Sequence, residues 1–344
     1  MLHHEFTLIF TANFVGSLDT RVSQKVSPTE VRSPKININS EKKMKVTKAI
    51  ITASGRGTRF LPVSSAYQKE MVPVMHKPQL QWVIEEAIES GISDIAIVVR
   101  EGSEIVKRYL EIDNKLFKYL KKTDKSQLMD SVIRLTENAN ITIIEQKESD
   151  PYGNGTPYVV AKDFTDGEPV VGMWGDDLII RTDPTKPTVI DQMLHFYYEF
   201  EPSAVMSVRK VPRSEINKFG SYDYYNEKET SIPYHAKLLL EKPDTANAPS
   251  LMANSCRFVL GPDVLEELSK KITGKDGEVW LTDAVARLID AGKTVIAPPW
   301  AGSIVATIGD PIGWLKANVY LAMNDDDYQE DVLSFIKDIQ LSFK

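Results

Sequence analysis

The stretch Lys48–Pro78, KAIITASGRGTRFLPVSSAYQKEMVPVMHKP, decides how the rest of the chain is read. The apolar residues Ala49, Ile50 and Ile51 run into the small-residue loop Ala53-Ser54-Gly55-Arg56-Gly57-Thr58-Arg59. An apolar run that empties into glycines reads as a buried strand delivering a turn to the edge of a sheet. Gly55 and Gly57 carry no Cβ, so their backbone N–H groups can come close to a ligand. Lys69 follows ten residues after Arg59, between Tyr67 and Met71-Val72-Pro73. That apolar setting separates it from an ordinary solvated lysine. Arg59 and Lys69 put positive charge beside the glycine loop, a combination suited to a polyphosphate.

Outward from this stretch the chain alternates. Apolar positions 80, 83, 84, 87 and 88 have helical spacing, so Pro78–Ser90 is expected to be a helix with Gly91 ending it. Ile95–Val99 is a wholly apolar strand of the kind buried in a parallel sheet. Residues 103–136 read as two helices, and Ile141–Glu145 and Val170–Trp174 as further strands. Val189–Phe200 is expected to be helical, and Ala204–Val208 to be a strand. Phe219–Glu241 is aromatic and β-like, and Arg257–Leu260 is a short strand. Helices near Asp263–Lys271 and Trp280–Ala291 precede strands at Val295–Ala297 and Ser303–Ile308. Amphipathic helices at Asp310–Ala322 and Tyr328–Phe343 end the chain. This order argues for an α/β fold with a mixed, mostly parallel central sheet and a β-rich insertion in the second half.

The balance of 41 basic against 48 acidic side chains, with no basic block interleaved with aromatics, argues against nucleic acid as a partner. No apolar run approaches the length of a membrane span, so no membrane partner is expected. The single cysteine, Cys256, excludes an internal disulfide and fits a reducing cytoplasm. Residues 1–43 differ from the rest: Ser17–Ser40 is rich in Ser, Pro, Asn and charge and reads as a disordered leader, with Met44 resembling a natural start. The expected division is therefore a leader at 1–43, a main domain at 44–325 and a C-terminal helix at 326–344 for packing or oligomerisation.

Three further constellations carry chemistry. Asp176-Asp177 follows a buried strand, where open α/β sheets place ligands. Adjacent carboxylates there suit Mg²⁺, although Asp is equally common in turns and caps. In Glu241-Lys242-Pro243, Glu can accept from sugar hydroxyls and Lys can pair with a phosphate; a plain surface turn is the competing reading. Gln146, with Gly153-Asn154-Gly155, offers an amide for a base edge and glycines for a flat ring, or simply a turn. The five histidines show no ligand spacing.

Taken in order, these pieces resemble bacterial UTP–glucose-1-phosphate uridylyltransferases, within the sugar-1-phosphate nucleotidylyltransferases. Gly-x-Gly-Thr-Arg at 55–59, Lys-Glu-Met-Val-Pro at 69–73, Asp176-Asp177, Glu241-Lys242-Pro243 and Arg257-Phe-Val-Leu carry the resemblance. Gly277-Glu-Val-Trp-Leu-Thr-Asp-Ala284 paired with Gly313-Trp-Leu-Lys-Ala-Asn318 leans towards the uridylyltransferase branch. The match runs from about Lys45 to about Met323.

The resemblance implies a Rossmann-like three-layer nucleotidyltransferase fold whose β-rich insertion binds the sugar. It implies Mg²⁺-dependent transfer of UMP from UTP to glucose 1-phosphate, in a homodimer or homotetramer. It assigns Ala53, Ser54, Gly55, Gly57, Gln146 and Gly153 to the nucleotide, with Gln146 and Gly153 at uracil. Arg59, Lys69 and Asp176 are catalytic in that assignment. Gly220, Glu241 and Lys242 take the sugar phosphate, and Asp176 holds the metal. The family's second metal-binding Asp falls at Thr307 here, a neutral and weaker ligand. Other departures are Ser65 for Lys, Thr156-Pro157 for His-Ala, Gly175 for Pro, Cys256 for Gly and Pro311 for Lys. They leave two alternatives open: a weakened paralogue that binds nucleotide sugar and regulates, or a transferase for another sugar 1-phosphate. Cys256 is expected to add bulk at the sugar.

Overall fold

The apolar strand at the head of the deciding stretch becomes the centre of the sheet. In a computed structural model that describes residues 45–112, 114–274 and 277–342, β1 is Lys48–Ala53. The leader expected at 1–43 lies outside the described residues. The hairpin β2 (Pro73–Val74) and β3 (Lys77–Pro78) leads into α1 (Gln79–Glu89) and β4 (Asp94–Arg100). The next helices are α2 (Ile105–Leu110), α3 (Lys115–Lys122) and α4 (Asp130–Asn138). Three helices thus replace the two expected over 103–136, because the Asn114 side chain accepts from the Phe117 amide at 2.9 Å and starts a new helix there.

β5 (Asn140–Gln146), α5 (Thr156–Val160), α6 (Lys162–Thr165), β6 (Val170–Trp174) and β7 (Asp177–Arg181) follow. Then come α7 (Val189–Phe200), β8 (Ala204–Lys210), β9 (Ser221–Tyr224), β10 (Ala236–Leu240) and β11 (Met252–Leu260). The chain continues through α8 (Pro262–Ser269), α9 (Leu281–Asp290), β12 (Val295–Ile296) and β13 (Ser303–Thr307) to α10 (Pro311–Met323) and α11 (Gln329–Ser342).

β6-β1-β4-β5 form a parallel block in which β1 pairs with both β4 and β6. β11 adds antiparallel to β6 and carries β8 and β9 with it. The β-rich insertion, β9 and β10, is the far edge of this one mixed sheet. Period-two alternation along β1 explains the layers. Ala49, Ile51 and Ala53 face a core shared with α1, α4 and α7. Ile50 faces the opposite core, shared with α8 and α9. β1, β4 and β6, inside the block, are therefore largely buried on both faces, as covered parallel strands must be, while the edge strand β5 carries Asn140, Thr142 and Gln146 on one face. Outside this sheet, β7 and β13 pair antiparallel, with Thr307 opposite Asp177. That small ribbon sits where β6 ends and anchors the site described next. Among the described residues no helix is long and apolar enough to cross a membrane.

Candidate active site

A cleft of about 1240 Å³ opens along the carboxyl ends of β1, β4, β5 and β6. On its floor the glycine loop and the Lys69 turn lie against each other. Gly57 has φ +64, left-handed backbone that favours glycine. A Cβ at Gly55 would meet Lys69 Cε at 3.0 Å and Nζ at 3.2 Å. The glycines thus make room for the lysine's own stem. Lys69 Nζ pairs with Asp176 Oδ2 and lies 3.5 Å from Glu70 Oε1. Burial alone would lower the Lys69 pKa, but the Asp176 and Glu70 carboxylates outweigh it and hold the ammonium above its usual range. Glu70 is 1% exposed; burial pushes its carboxyl up to about 7 in spite of Lys69. Arg59 reaches the same place. A Cβ on Gly309 would sit 3.1 Å from Asp176 Oδ2 and 3.6 Å from Arg59 Nη1.

Asp176 joins β6 to β7, and Asp177 is the first residue of β7. Burial, then the neighbouring Asp176, push the Asp177 carboxyl up to about 6, with the Thr307 hydroxyl beside it working the other way. Asp177 Oδ1 is buried without a partner. Thr307 lines the cleft with both acids. Asp310, close by in the cleft wall, caps α10, where its Oδ1 accepts from the Gly313 amide at 2.8 Å. Among the described residues no three His, Cys, Asp or Glu side chains gather as a metal group. The donor set still fits Mg²⁺, which binds through one or two carboxylates and completes its shell with phosphate and water. Lys69 takes only Oδ2 of Asp176, and that side chain is 27% exposed to the cleft.

At the end of the cleft beyond β5, Ser54 Oγ donates to Gln146 Oε1 at 2.7 Å, and both line the cleft. Gly153, also on the wall, has φ +135, and a Cβ there would overlap the Val279 backbone. Its flanks are stitched to that segment: the Val279 amide donates to Tyr152 O at 2.8 Å and the Gly155 amide to Val279 O at 2.9 Å. The Asn154 side chain accepts from the Leu281 amide at 2.9 Å, which caps α9 from a distant loop. The close approach that needs Gly153 is therefore that of the protein's own chain.

At the other end, Glu241 and Lys242 follow β10. A Cβ at Gly220 would lie 3.1 Å from Glu241 Oε2. Burial raises the Glu241 carboxyl above its usual range. Lys242 sits at φ 44, with Nζ 3.9 Å above the Trp280 ring and 3.9 Å from Glu241 Oε1. Cys256 does not add the expected bulk here: it is 1% exposed, and Asn254 and Ser255 form the wall instead. A register shift between Asn254 and Phe258 breaks the period-two count that would have placed it.

Of the residues singled out in the sequence, Ser54, Gly55, Arg59, Lys69, Gln146, Gly153, Asp176, Gly220, Glu241, Lys242 and Thr307 share this one cleft. Ala53 and Gly57 stand behind it; Ala53 is fully buried and its carbonyl accepts from Gln68 Nε2 at 2.8 Å. Sequence reasoning passed over Glu70, Trp280, Arg209 and Arg257. Glu70, Trp280 and Arg257 stood in quoted motifs without a role, and the charge inside the apolar run of β11 was the available signal for Arg257.

The family model for nucleotidyl transferases matches residues 48–316. The chain belongs to the nucleotidyl transferase family. A UTP–glucose-1-phosphate uridylyltransferase of Staphylococcus saprophyticus is 33% identical over 296 residues, covering 86% of this chain and 99% of its own. The Staphylococcus epidermidis enzyme of that name is 33% identical over 297 residues, with the same coverage. Among solved structures, a UDP-glucose pyrophosphorylase in complex with UDP-glucose superposes with a TM-score of 0.70 at 27% identity, covering 82% of this chain and all of the other. A UTP-bound enzyme of that type from Acinetobacter baumannii gives a TM-score of 0.73 at 25% identity, covering 85% of this chain and 99% of its own. The uridylyltransferase branch of the nucleotidyl transferases, expected from the paired motifs around Trp280 and Trp314, is borne out by these relatives.

Proposed function

We propose that the protein transfers UMP from UTP to glucose 1-phosphate with Mg²⁺, releasing pyrophosphate and UDP-glucose. The observation that carries this reading is the Lys69–Asp176 pair on the cleft floor, between the Arg59 loop and the Glu241–Lys242 pair. The relatives' names supply the substrates. A phosphate oxygen of glucose 1-phosphate forms a bond to the α-phosphorus of UTP, and the bond to the bridging oxygen of the β-phosphate breaks. The attacking phosphate is already ionised, so no proton moves. The barrier is charge repulsion and alignment, which cations and fixed donors lower.

Arg59 and the loop amides hold the departing pyrophosphate. Lys69, protonated throughout, turns its ammonium from Asp176 to the α-phosphate. Gln146, with its Oε1 taken by Ser54, has its NH₂ for a uracil carbonyl. Glu241 accepts from glucose hydroxyls beside Gly220, and Lys242 pairs with the sugar phosphate. Asp176 holds the metal, with the Thr307 hydroxyl as neutral neighbour; when bound, the ion offsets charge on the triphosphate. The reducing cytoplasm fits the buried, lone Cys256. A homodimer or homotetramer is supported by the apolar residues Ile312, Leu315 and Phe335, exposed on α10 and α11.

Pyrophosphate release from UTP, dTTP or CTP with a panel of sugar 1-phosphates tests the reading. Release with UTP and glucose 1-phosphate is expected, and silence across the panel overturns it. Thr307 favours one second reading, a regulator that binds nucleotide sugar without turnover. Calorimetric binding of UTP without turnover, with activity gained in Thr307→Asp, would support that reading.

A further inference from the structure

Asp176 lies in the segment Trp174–Asp177, and each of its four backbone carbonyls has a donor. The Ile308 amide donates to Asp176 O at 3.0 Å. Side chains hold the other three. Gln79 Nε2 donates to Gly175 O at 2.9 Å. Arg257 donates through Nη1 to Trp174 O at 3.4 Å and through Nη2 to Asp177 O at 3.0 Å. One guanidinium thus bridges the carbonyls on either side of Gly175-Asp176. The Gly175 amide ties the same segment to Thr52 O in β1 at 3.0 Å.

Arg257 is fully buried, and its charge is met by Glu86. Its Nε donates to both Glu86 oxygens at 3.1 Å and its Nη2 to Oε2 at 2.6 Å. Nη1 also donates to Cys256 O at 2.9 Å. A buried ion pair is a poor source of stability, because desolvation offsets the attraction and apolar pairs often replace it without loss. An apolar pair cannot donate to two carbonyls at once. A lysine carries its donors on a single nitrogen and cannot reproduce the spread of Nη1 and Nη2 in a planar fork. The geometry that only Arg257 supplies is directed at the backbone that carries Asp176.

We propose that Arg257, oriented by Glu86, is a positioning residue that fixes the Asp176 carboxylate against Lys69 for nucleotidyl transfer. For the reaction it rests on the function proposed above; the clamp itself does not. A reacting group misplaced by about 1 Å loses roughly 100-fold in rate.

The experiment uses the full chain with Arg257→Met/Glu86→Met, which removes both charges together, and with Arg257→Lys, which keeps a cation opposite Glu86. Melting temperature, kcat and KM for UTP, the Mg²⁺ concentration for half-maximal rate, and acylation of Lys69 by an amine reagent followed by peptide mass spectrometry are read for each. The double variant is expected to melt near the wild type yet lose roughly 10- to 100-fold in kcat. Its KM for UTP should change less, its Mg²⁺ requirement should rise, and Lys69 should label several-fold faster. Arg257→Lys should show the same split, and it carries the test if the double variant does not fold. A double variant with both rate and melting temperature near the wild type would overturn the proposal, leaving Arg257 a packing residue. A wild type that releases no pyrophosphate overturns the proposed function alone. Lys69 labelling then decides, and unchanged labelling in a folded variant overturns the clamp.

Discussion

Thr307 stands directly across the β7–β13 ribbon from Asp177, and its successor Ile308 donates its amide to Asp176 O at 3.0 Å. A side chain at 307 therefore shares the cleft wall with both acids, one of which is already raised to about 6 by burial and by the other. Thr307→Asp would add a charged ligand there. The Mg²⁺ concentration for half-maximal rate should fall roughly 10-fold, within the usual range for changes beside a metal. Without divalent ion the same variant should melt lower, because three carboxylates then repel one another. Rates titrated with Mg²⁺ and melts in chelator check both; an unchanged Mg²⁺ requirement would place residue 307 away from the ion.

Lys69→Ala should lose at least about 100-fold in kcat, the scale for removing one donor aimed at developing charge. Its far-UV circular dichroism should stay that of the wild type. Gly55→Ala is the subtler counterpart. The new Cβ would press on Lys69 Cε at 3.0 Å, the flexible end of a side chain, so the lysine moves and the backbone does not. The rate should drop with little change in melting temperature. A fully active Gly55→Ala protein would show that the lysine's path over the loop is immaterial.

Glu70 sets a pH dependence of stability. Burial raises its folded pKa from 4.5 to about 7, so between those values the folded protein holds a proton that the unfolded chain has released. Stability attributable to this group therefore falls as pH rises from about 4.5 to about 7, and is lowest above that window. Glu70→Gln removes the titration. Denaturant midpoints at pH 5 and pH 8 should differ less in the variant than in the wild type, with the gain at pH 8. Equal pH slopes in the two proteins would mean that Glu70 does not titrate on folding.

Local pattern made β1, the glycine loop and Lys69 legible, because an apolar run followed by small residues has few other uses. The clamp behind Asp176 was illegible, since Arg257 and Glu86 are 171 residues apart and only the packing of α1 on the sheet joins them. β7 was missed for a related reason: its partner β13 lies far along the chain and the pair stands outside the main sheet. The register shift in β11 hid which of Ser255 and Cys256 faces the cleft, because alternation can be counted only along an unbroken strand. Gly153 was legible as a special position but not for its reason, since the Val279 backbone that presses on it is remote in sequence.

Lys242 should separate sugar binding from nucleotide binding. Its backbone is held at φ 44, its amide donates to Phe219 O at 3.1 Å, and its ammonium lies 3.9 Å above the Trp280 ring. The backbone bond and the turn do not depend on the side-chain charge, so Lys242→Met keeps the fold and removes only the cation. The proposed partner of that cation is the phosphate of glucose 1-phosphate, which enters from the Glu241 side. KM for glucose 1-phosphate should rise roughly 10- to 100-fold, the loss of one charge-assisted contact worth about 1.5–3 kcal/mol. KM for UTP should stay within about twofold, because the Arg59 loop and Gln146 are untouched. Initial rates with each substrate varied in turn read the two constants. A rise in the UTP constant instead would move Lys242 to the triphosphate and reverse the orientation assigned to the cleft.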